Sequence, residues 1–444
     1  MDGRPVGSES LFAPGWDIDW EVDYTAHPFL DPSIWDRCSR LSRWTEYTWD
    51  RIRDDDDAYY REVARLLRPL CSDDEEVAPC AADVAAVADY LREADAYLHS
   101  TIDLLPAPAR PRVVPLEQVT ACNDLRDLLA MIFAGGDVRR RFEAQRKIYL
   151  ANLLLDIGHS RLTQDGPLHL AYFEQLLHDA LWRYRQKVHD VEIGYRVDAD
   201  GESVRYTPRP GAGDQILAFH ASFLERRHGG RTTKLNVLYS SSRFKLSVLP
   251  PSFKVEGGRQ YVLEQMRWVD MHQHRSGSVL SKMIRRGINN PSEIADLLGA
   301  MFIVYDEDAV DNLLELLDAG LGNPFGWRNV TDAFCSQTAG ATLNTYASVS
   351  YKVFKGDVDI LIPGGAPDRP PYRFTVEIQV HTLESFLRTI CSSHDASHRA
   401  FKLRQFINGL VPYLFPAAIF GRDWLLCDLG ADTAWWRASS TPHC

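Results

Sequence analysis

The sequence predicts an α+β fold: a mixed, mostly antiparallel sheet flanked by helices, preceded by a mainly α-helical N-terminal region. Three observations predict it. Helical periodicity dominates from Asp54 to about residue 190. After Pro208, Pro210, Gly211 and Gly213 the texture changes to helices interleaved with short alternating segments. Val376, Ile378 and Val380 alternate strictly with Thr375, Glu377, Gln379 and His381, the pattern of a strand buried on one face.

At 444 residues the chain exceeds one ordinary domain. The predicted division is a helical region over 1–207 with no assigned role, a linker and lead-in over 208–254, a chemistry-bearing domain over 255–425 and a tail over 426–444. Within the first region, Asp54 to Asp57 precede Val63, Leu66, Leu67 and Leu70 on one helix face. Acidic residues suit the positive end of a helix dipole, so this run is read as a helix start and not as a metal site. Further helices are expected over 81–104, 123–134, 138–157 and 168–188, with a proline-rich break near residue 110. Residues 191–207 alternate around Asp200-Gly201, a hairpin signal.

In the C-terminal half a strand is expected over 261–271, then a helix from Ser278 closed by Gly287. Pro291-Ser292-Glu293 opens a short helix that reaches Asp296 and stops at Gly299. An apolar strand follows from Ala300 to Tyr305. A helix from Asp308 to Gly320 places Val310, Leu313, Leu314 and Leu317 on one face. Strands are expected over 346–354, 357–362 and 373–381, and a helix from Leu383 buries Phe386, Leu387 and Ile390.

The net charge of −12 argues against broad, non-specific binding to nucleic acid, while leaving room for a local basic pocket. No run of about 18 uncharged apolar residues exists, so no membrane partner is expected. The acidic, polar N-terminus is unlike a secretory signal. The eight cysteines have no metal-type spacing and read as free thiols of a reducing compartment, so a cytoplasmic location is expected.

The chemistry concentrates on two acids. Moving a phosphoryl or pyrophosphoryl group requires magnesium held by carboxylates, cations on the phosphates and an aligned hydroxyl. Magnesium takes one or two carboxylates plus phosphate oxygens. Asp296 stands at the turn before an apolar strand, and Glu377 stands on the polar face of another.

Taken together, these residues resemble the RelA/SpoT-type alarmone synthetases over about residues 255–425. Glu377-Ile-Gln-Val-His-Thr382 resembles the family's Glu-Ile-Gln-x-x-Thr, and Asp296-Leu-Leu-Gly-Ala-Met-Phe302 its Asp-(Ile/Leu)-x-Gly-x-Arg-(Ile/Val). Asn344-Thr-Tyr346-Ala-Ser348-Val-Ser350 is similar to Asn-Gly-Tyr-x-Ser-x-His, and Lys282-Met-Ile-Arg285-Arg-Gly287 is similar to small alarmone synthetases. His394 and Arg399 resemble the histidine and cation of the following helix.

The resemblance implies a nucleotidyltransferase-like fold of the RelA/SpoT synthetase type. It implies transfer of pyrophosphate from ATP to the 3′-hydroxyl of GDP or GTP, as in guanosine tetraphosphate metabolism and the stringent response. Asp296 and Glu377 would be catalytic and hold Mg2+, with Glu377 also assisting deprotonation of the hydroxyl. Tyr346 would stack on the acceptor guanine. Ser278, Lys282, Arg285, Ser348, Gln379, His394, Arg399 and Lys402 would complete the nucleotide site. Toxin-like members of the family modify the 3′ end of tRNA, which makes tRNA a second acceptor to test. A catalytically dead nucleotide-binding or scaffold module is a third reading.

Departures from the family pattern favour that third reading. His272 and His274 fall at the family's Arg-x-Lys positions, Met301 and His381 at its arginines, and Ser350 at its histidine. Each lost arginine–phosphate contact in a dry site costs roughly 1.5–3 kcal/mol. A different acid assignment also stays open. Gly356-Asp357-Val-Asp359 has the Asp-x-Asp form of polymerase-β-type nucleotidyltransferases, with Glu377 as a third acid, or it is a polar turn opening a strand. Lys352, Lys355 and Arg373 nearby either serve phosphates or solvate the sheet. His27-Pro28 and His178-Asp179 superficially resemble the family's hydrolase motifs, but the intervening ligands are missing, so His178 and Asp179 are read as helix residues.

Overall fold

A computed structural model describes residues 18, 20–32, 43–67, 81–105, 107–133, 136–198, 204–244, 252–256, 259–263, 277–294, 296–321, 326–334, 352–362, 371–391, 405–422 and 424. The chain forms two compact units, each built from separated segments. A helical unit comprises Met1–His159, Leu280–Pro291 and Gln405–Cys444, and a sheet unit comprises Ser160–Val279 and Ser292–Arg404. Among the described residues no helix is long and apolar enough to cross a membrane.

The helical unit contains α1 (Arg43–Ile52), α2 (Asp56–Leu67), α3 (Ala81–Ile102), α4 (Leu125–Phe133) and α5 (Val138–His159). The acidic run does start a helix: Asp55 Oδ1 accepts from the Ala58 amide at 2.9 Å, and Asp56 and Asp57 fill the first turn. α5 is the central element. It is buried without a break from Phe142 to Ala151, so its polar residues must find partners inside the protein. Arg146 donates to the Leu414 carbonyl, and its guanidinium lies 5.4 Å from the ring centroids of Phe142 and Phe415.

The sheet unit contains β1 (Arg185–Val197), β2 (Val204–Thr207), β3 (Gln215–His228), β4 (Arg231–Phe244), β5 (Ser252–Glu256), β6 (Arg259–Leu263), β7 (Leu298–Val304), β8 (Arg328–Asp332), β9 (Phe354–Ile362) and β10 (Tyr372–Thr382). Its order is β2-β1-β3-β4-β7-β10-β9-β8, with a β5–β6 hairpin joined to β3 through β6. The β7–β10 and β3–β6 pairs are parallel and the others antiparallel, so the sheet is mixed and mostly antiparallel as predicted. One face is covered by α6 (Gly166–Ala180) and α8 (Glu307–Leu321), which pack Phe173, Leu177, Leu313 and Leu317 onto Phe302, Val358, Val376 and Ile378. Each such buried side chain is worth about 1.5–3 kcal/mol. Among the described residues the opposite face packs against α9 (Leu383–Cys391), whose Leu383, Phe386 and Leu387 meet Leu217, Phe219 and Ile303.

Two sequence expectations change. Residues 208–254 are not a linker, because β3 and β4 occupy 215–244 inside the sheet. Gly229 and Gly230, at φ +56° and +78°, form the two-residue turn between them, with His228 opposite Arg231. The helix expected over 168–188 ends at Ala180, since the backbone from Arg185 onward bonds to β3. The expected 191–207 hairpin is β1 with β2, with Val197 opposite Val204. The strand residues expected over 264–271 and 346–351 lie outside the described residues.

α7 (Gly277–Arg286) ends as the sequence predicts. Gly287 has φ +66°, its amide donates to the Ile284 carbonyl at 3.4 Å, and the Ile288 amide donates to Met283 at 2.9 Å. A Cβ on Gly287 would lie 2.8 Å from Ala26 Cβ. Gly287→Ala should therefore destabilise the helical unit by about 1–3 kcal/mol in urea unfolding. An unchanged midpoint would show that the positive φ is not required.

Candidate functional site: an acidic row on one sheet face

Strand alternation places Thr375, Glu377, Gln379 and His381 on one face of β10, and Lys355, Asp357 and Asp359 on the same face of β9. Register then fixes the neighbours. Glu377 lies opposite Asp357 on β9 and opposite Gly299 on β7; Arg243 on β4 lies opposite Gly299. Asp296 sits two residues before β7 begins. All three acids are buried: Glu377 is 2%, Asp357 5% and Asp296 8% exposed.

Buried carboxylates require partners. Lys355 Nζ forms an ion pair with Glu377 Oε2, and Gln379 Nε2 donates to Glu377 Oε1. Asn329 Nδ2 donates to Asp357 Oδ2 at 2.8 Å. Asn329 has φ +49° and lies in a bulge, where the stretch from Arg328 to Thr331 faces Asp357 to Lys355. The extra residue lets β8 aim two successive side chains at β9. Arg328 is the other, and it pairs with Asp359. Arg373 lies 3.4 Å from Asp359 and the Thr375 hydroxyl donates to Asp359 at 2.8 Å.

The charges act on one another. Burial pushes the Asp357 carboxyl up, and Glu377 and Asp296 add to that, against the Asn329 hydrogen bond and Lys355. Burial alone would depress Lys355, but Glu377, Asp296 and Asp357 together hold it above the ordinary lysine range. Asp296, Asp357, Glu377 and Lys355 therefore form one electrostatic cluster. Asp359 is different, since two arginines and a threonine occupy it.

This outcome divides the two sequence readings of the acids. Glu377 lies opposite Asp357 from the Asp-x-Asp motif, and Asp296 acts on both Asp357 and Lys355, while Asp359 serves as a clamp between β8, β9 and β10. Gln379 lies in the site. Ser278 is the second residue of α7 and belongs to the sheet unit, whereas Lys282 and Arg285 lie on the part of α7 that belongs to the helical unit. Tyr346, Ser348, His394, Arg399 and Lys402 lie outside the described residues, as do His272, His274 and Ser350. Met301 packs against the apolar cluster beneath α9, and His381 is 3% exposed with its Nδ1 3.5 Å from the Ser385 hydroxyl. At both positions a phosphate-facing arginine would have been covered by α9.

The donor set suits a hard divalent cation. Asp296, Asp357 and Glu377 offer oxygen ligands only, and magnesium needs just one or two of them beside phosphate oxygens and water. Among the described residues no three His, Cys, Asp or Glu side chains stand in a metal-holding geometry. Oxygen donors of this kind fit a metal shared with a phosphate ligand.

No protein-family model matches the chain, and no curated protein matches it. Among solved structures, the chain is similar to small alarmone synthetase 1 from Bacillus subtilis bound to its product pppGpp. The identity is 19% and the TM-score 0.21, over 29% of this chain and 64% of that one. A GTP pyrophosphokinase family protein from Streptococcus pneumoniae matches at 20% identity and a TM-score of 0.20, over 32% of this chain and 68% of that one. The chain thus spans 64% of the length of the Bacillus synthetase it matches.

Proposed function

We propose that the sheet unit is a RelA/SpoT-like nucleotide pyrophosphokinase, moving pyrophosphate from ATP to the 3′-hydroxyl of a guanine nucleotide. The observation that carries this reading is that Asp296 and Glu377, 81 positions apart in sequence, are both buried and both act on the same Lys355 ammonium. The motif resemblance assigned those two acids to magnesium, and Asp357 strengthens the same cluster.

In this reading Asp296 and Glu377 hold the ion. When bound, magnesium neutralises charge on the transferring phosphates. Gln379 orients the Glu377 carboxylate through its amide, and Asn329 does the same for Asp357. The acceptor 3′-oxygen attacks the β-phosphorus, the bond from that phosphorus to the α,β-bridging oxygen breaks, AMP leaves, and Glu377 assists removal of the hydroxyl proton. Arg328 and Arg373 are committed to Asp359 and keep β8 and β10 in register.

The test uses the full chain with ATP labelled in the γ-phosphate and a panel of GDP, GTP, AMP, ADP and tRNA, with magnesium present. Label on GDP or GTP is the expected result. Label on tRNA alone moves the acceptor, and no transfer to any member, with nucleotide still bound in calorimetry, replaces catalysis by binding.

A further inference from the structure

A chain of net charge −12 carries a basic patch at one end of its sheet. A 3-10 turn, Trp182–Tyr184, leads into β1, and the β3–β4 hairpin meets it where Arg226 reaches Tyr184. Residues 181–189 and 223–234 hold seven Lys and Arg and one carboxylate, Glu225. The cations lie on aromatic rings. The Arg185 guanidinium is 4.7 Å from the Trp182 ring centroid, and Arg183 and Arg226 are 4.7 and 5.4 Å from that of Tyr184. Arg183, Arg185 and Lys187 are exposed. We propose that this patch binds single-stranded nucleic acid, its cations taking backbone phosphates and its ring-backed guanidinium planes stacking on bases.

The surrounding carboxylates have other partners. Asp179 meets His178 at 3.5 Å, Asp190 meets His220 at 2.7 Å, Glu225 meets Arg227 at 2.8 Å, and Glu315 on α8 meets Arg231 at 3.3 Å. Lys234 stands opposite Glu225 on the neighbouring strand. Asp318 lies on α8 too, near the end that packs on Ala180, and forms no ion pair among the described residues. Arg183, Arg185, Lys187 and Arg226 likewise pair with no carboxylate among the described residues. Three of these four are arginines, whose planar fork matches a phosphate and whose flat face matches a base. A membrane surface attracts charge alone and would be served as well by lysines.

The patch is separate from the acidic row. β4 begins at Arg231 beside the patch, and its Arg243 stands opposite Gly299, which is itself opposite Glu377. Arg231 and Arg243 are twelve positions apart on one strand, about 40 Å at roughly 3.3 Å per residue. A mononucleotide at Glu377 cannot reach Arg183 or Arg226. The patch therefore serves a second, longer polyanion, and the inference stands whether or not Asp296 and Glu377 bind magnesium.

Fluorescence anisotropy on the full chain tests this, with a single-stranded RNA of about 20 nucleotides as the probe. Its 3′ end is blocked by fluorescein, so no acceptor hydroxyl is present and binding is read apart from transfer. Wild type should bind, and more weakly as salt rises. Arg183→Gln with Arg185→Gln, both at exposed positions, should weaken binding at least about tenfold and flatten the slope of log affinity against log salt by about 1.4, the loss of two phosphate contacts. Arg226→Lys keeps the charge, so it should leave that slope unchanged and still weaken binding through the lost stacking plane. No binding by wild type, or equal binding by wild type and the double variant, overturns the proposal. Equal affinity for the same RNA as a duplex overturns the single-strand reading. Binding to vesicles of phosphatidylserine and phosphatidylcholine without binding to RNA overturns it in favour of a membrane.

Discussion

Glu377→Gln is expected to lower pyrophosphate transfer by about a thousandfold, the loss of roughly 4 kcal/mol of transition-state stabilisation that a metal-binding carboxylate supplies. The change keeps the volume and a hydrogen-bonding oxygen, so Gln379 retains a partner on β10. It removes one of three clustered negative charges and leaves Asp296 and Asp357 to compensate Lys355. Repulsion within the cluster falls, so the fold should not suffer. The expected signature is a large drop in turnover with an unfolding midpoint close to wild type. Asp359→Asn should show the reverse balance. It frees Arg328 and Arg373 from their carboxylate and loosens the β8–β9–β10 edge, and it touches none of the acids assigned to magnesium. Transfer at the wild-type rate by Glu377→Gln would end the assignment of Glu377 as ligand.

Lys147→Met is expected to cost the helical unit about 3–5 kcal/mol, the loss typical of breaking a buried ion pair from one side. Lys147 is 2% exposed and pairs with Asp95 on α3. The same ammonium donates to the carbonyls of Val119, Thr120 and Cys122 at 3.0, 3.0 and 2.7 Å, and to Asn123 Oδ1 at 3.1 Å. It closes the end of the short helix Glu117–Thr120, where the Val119 carbonyl also accepts from the Cys122 amide at 3.3 Å. Burial already holds the Asp95 carboxyl above its ordinary range, against the pull of Lys147. Without the lysine, the Asp95 carboxylate and the Thr120 and Cys122 carbonyls lose its hydrogen bonds, in a protein whose whole margin is about 5–15 kcal/mol. Urea unfolding followed by far-UV circular dichroism should show the midpoint fall sharply. Adding Asp95→Leu should recover part of the loss, by removing the stranded charge without restoring the carbonyls' hydrogen bonds. A single variant with a wild-type midpoint would refute the account.

What could be read in advance follows from what each element depends on. β10 was legible because Val376, Ile378 and Val380 alternate within a few residues, and burial on one face imposes that period. The end of α7 was legible because Gly287 signals a left-handed backbone locally. The β3–β4 hairpin was missed although Gly229-Gly230 marks its turn, because the proline- and glycine-rich stretch just upstream reads as a linker. In the site, Asp296 and Glu377 were named together only through motif order. Lys355 and Asp357 are visible in sequence as polar strand residues, but their convergence on Glu377 depends on the β9–β10 register. Arg328 and Asn329 gave no signal, since a five-residue edge strand with a bulge has no period. Met301 and His381 were placed toward phosphate by motif position, and α9 covers that part of the face instead.

The segmented make-up of the helical unit has a consequence for how the protein is made. Arg146 finds its carbonyl partner 268 residues further along, at Leu414, and the Tyr24 hydroxyl reaches the Pro412 carbonyl 388 residues away. The segment around Arg146 must therefore wait for the segment around Leu414 to emerge. At about 5–20 residues per second, the interval between Arg146 and Leu414 lasts roughly 15–50 s on the ribosome. Throughout it, α5 has its core side chains and no completed core, and the nascent chain should depend on chaperone protection for that time.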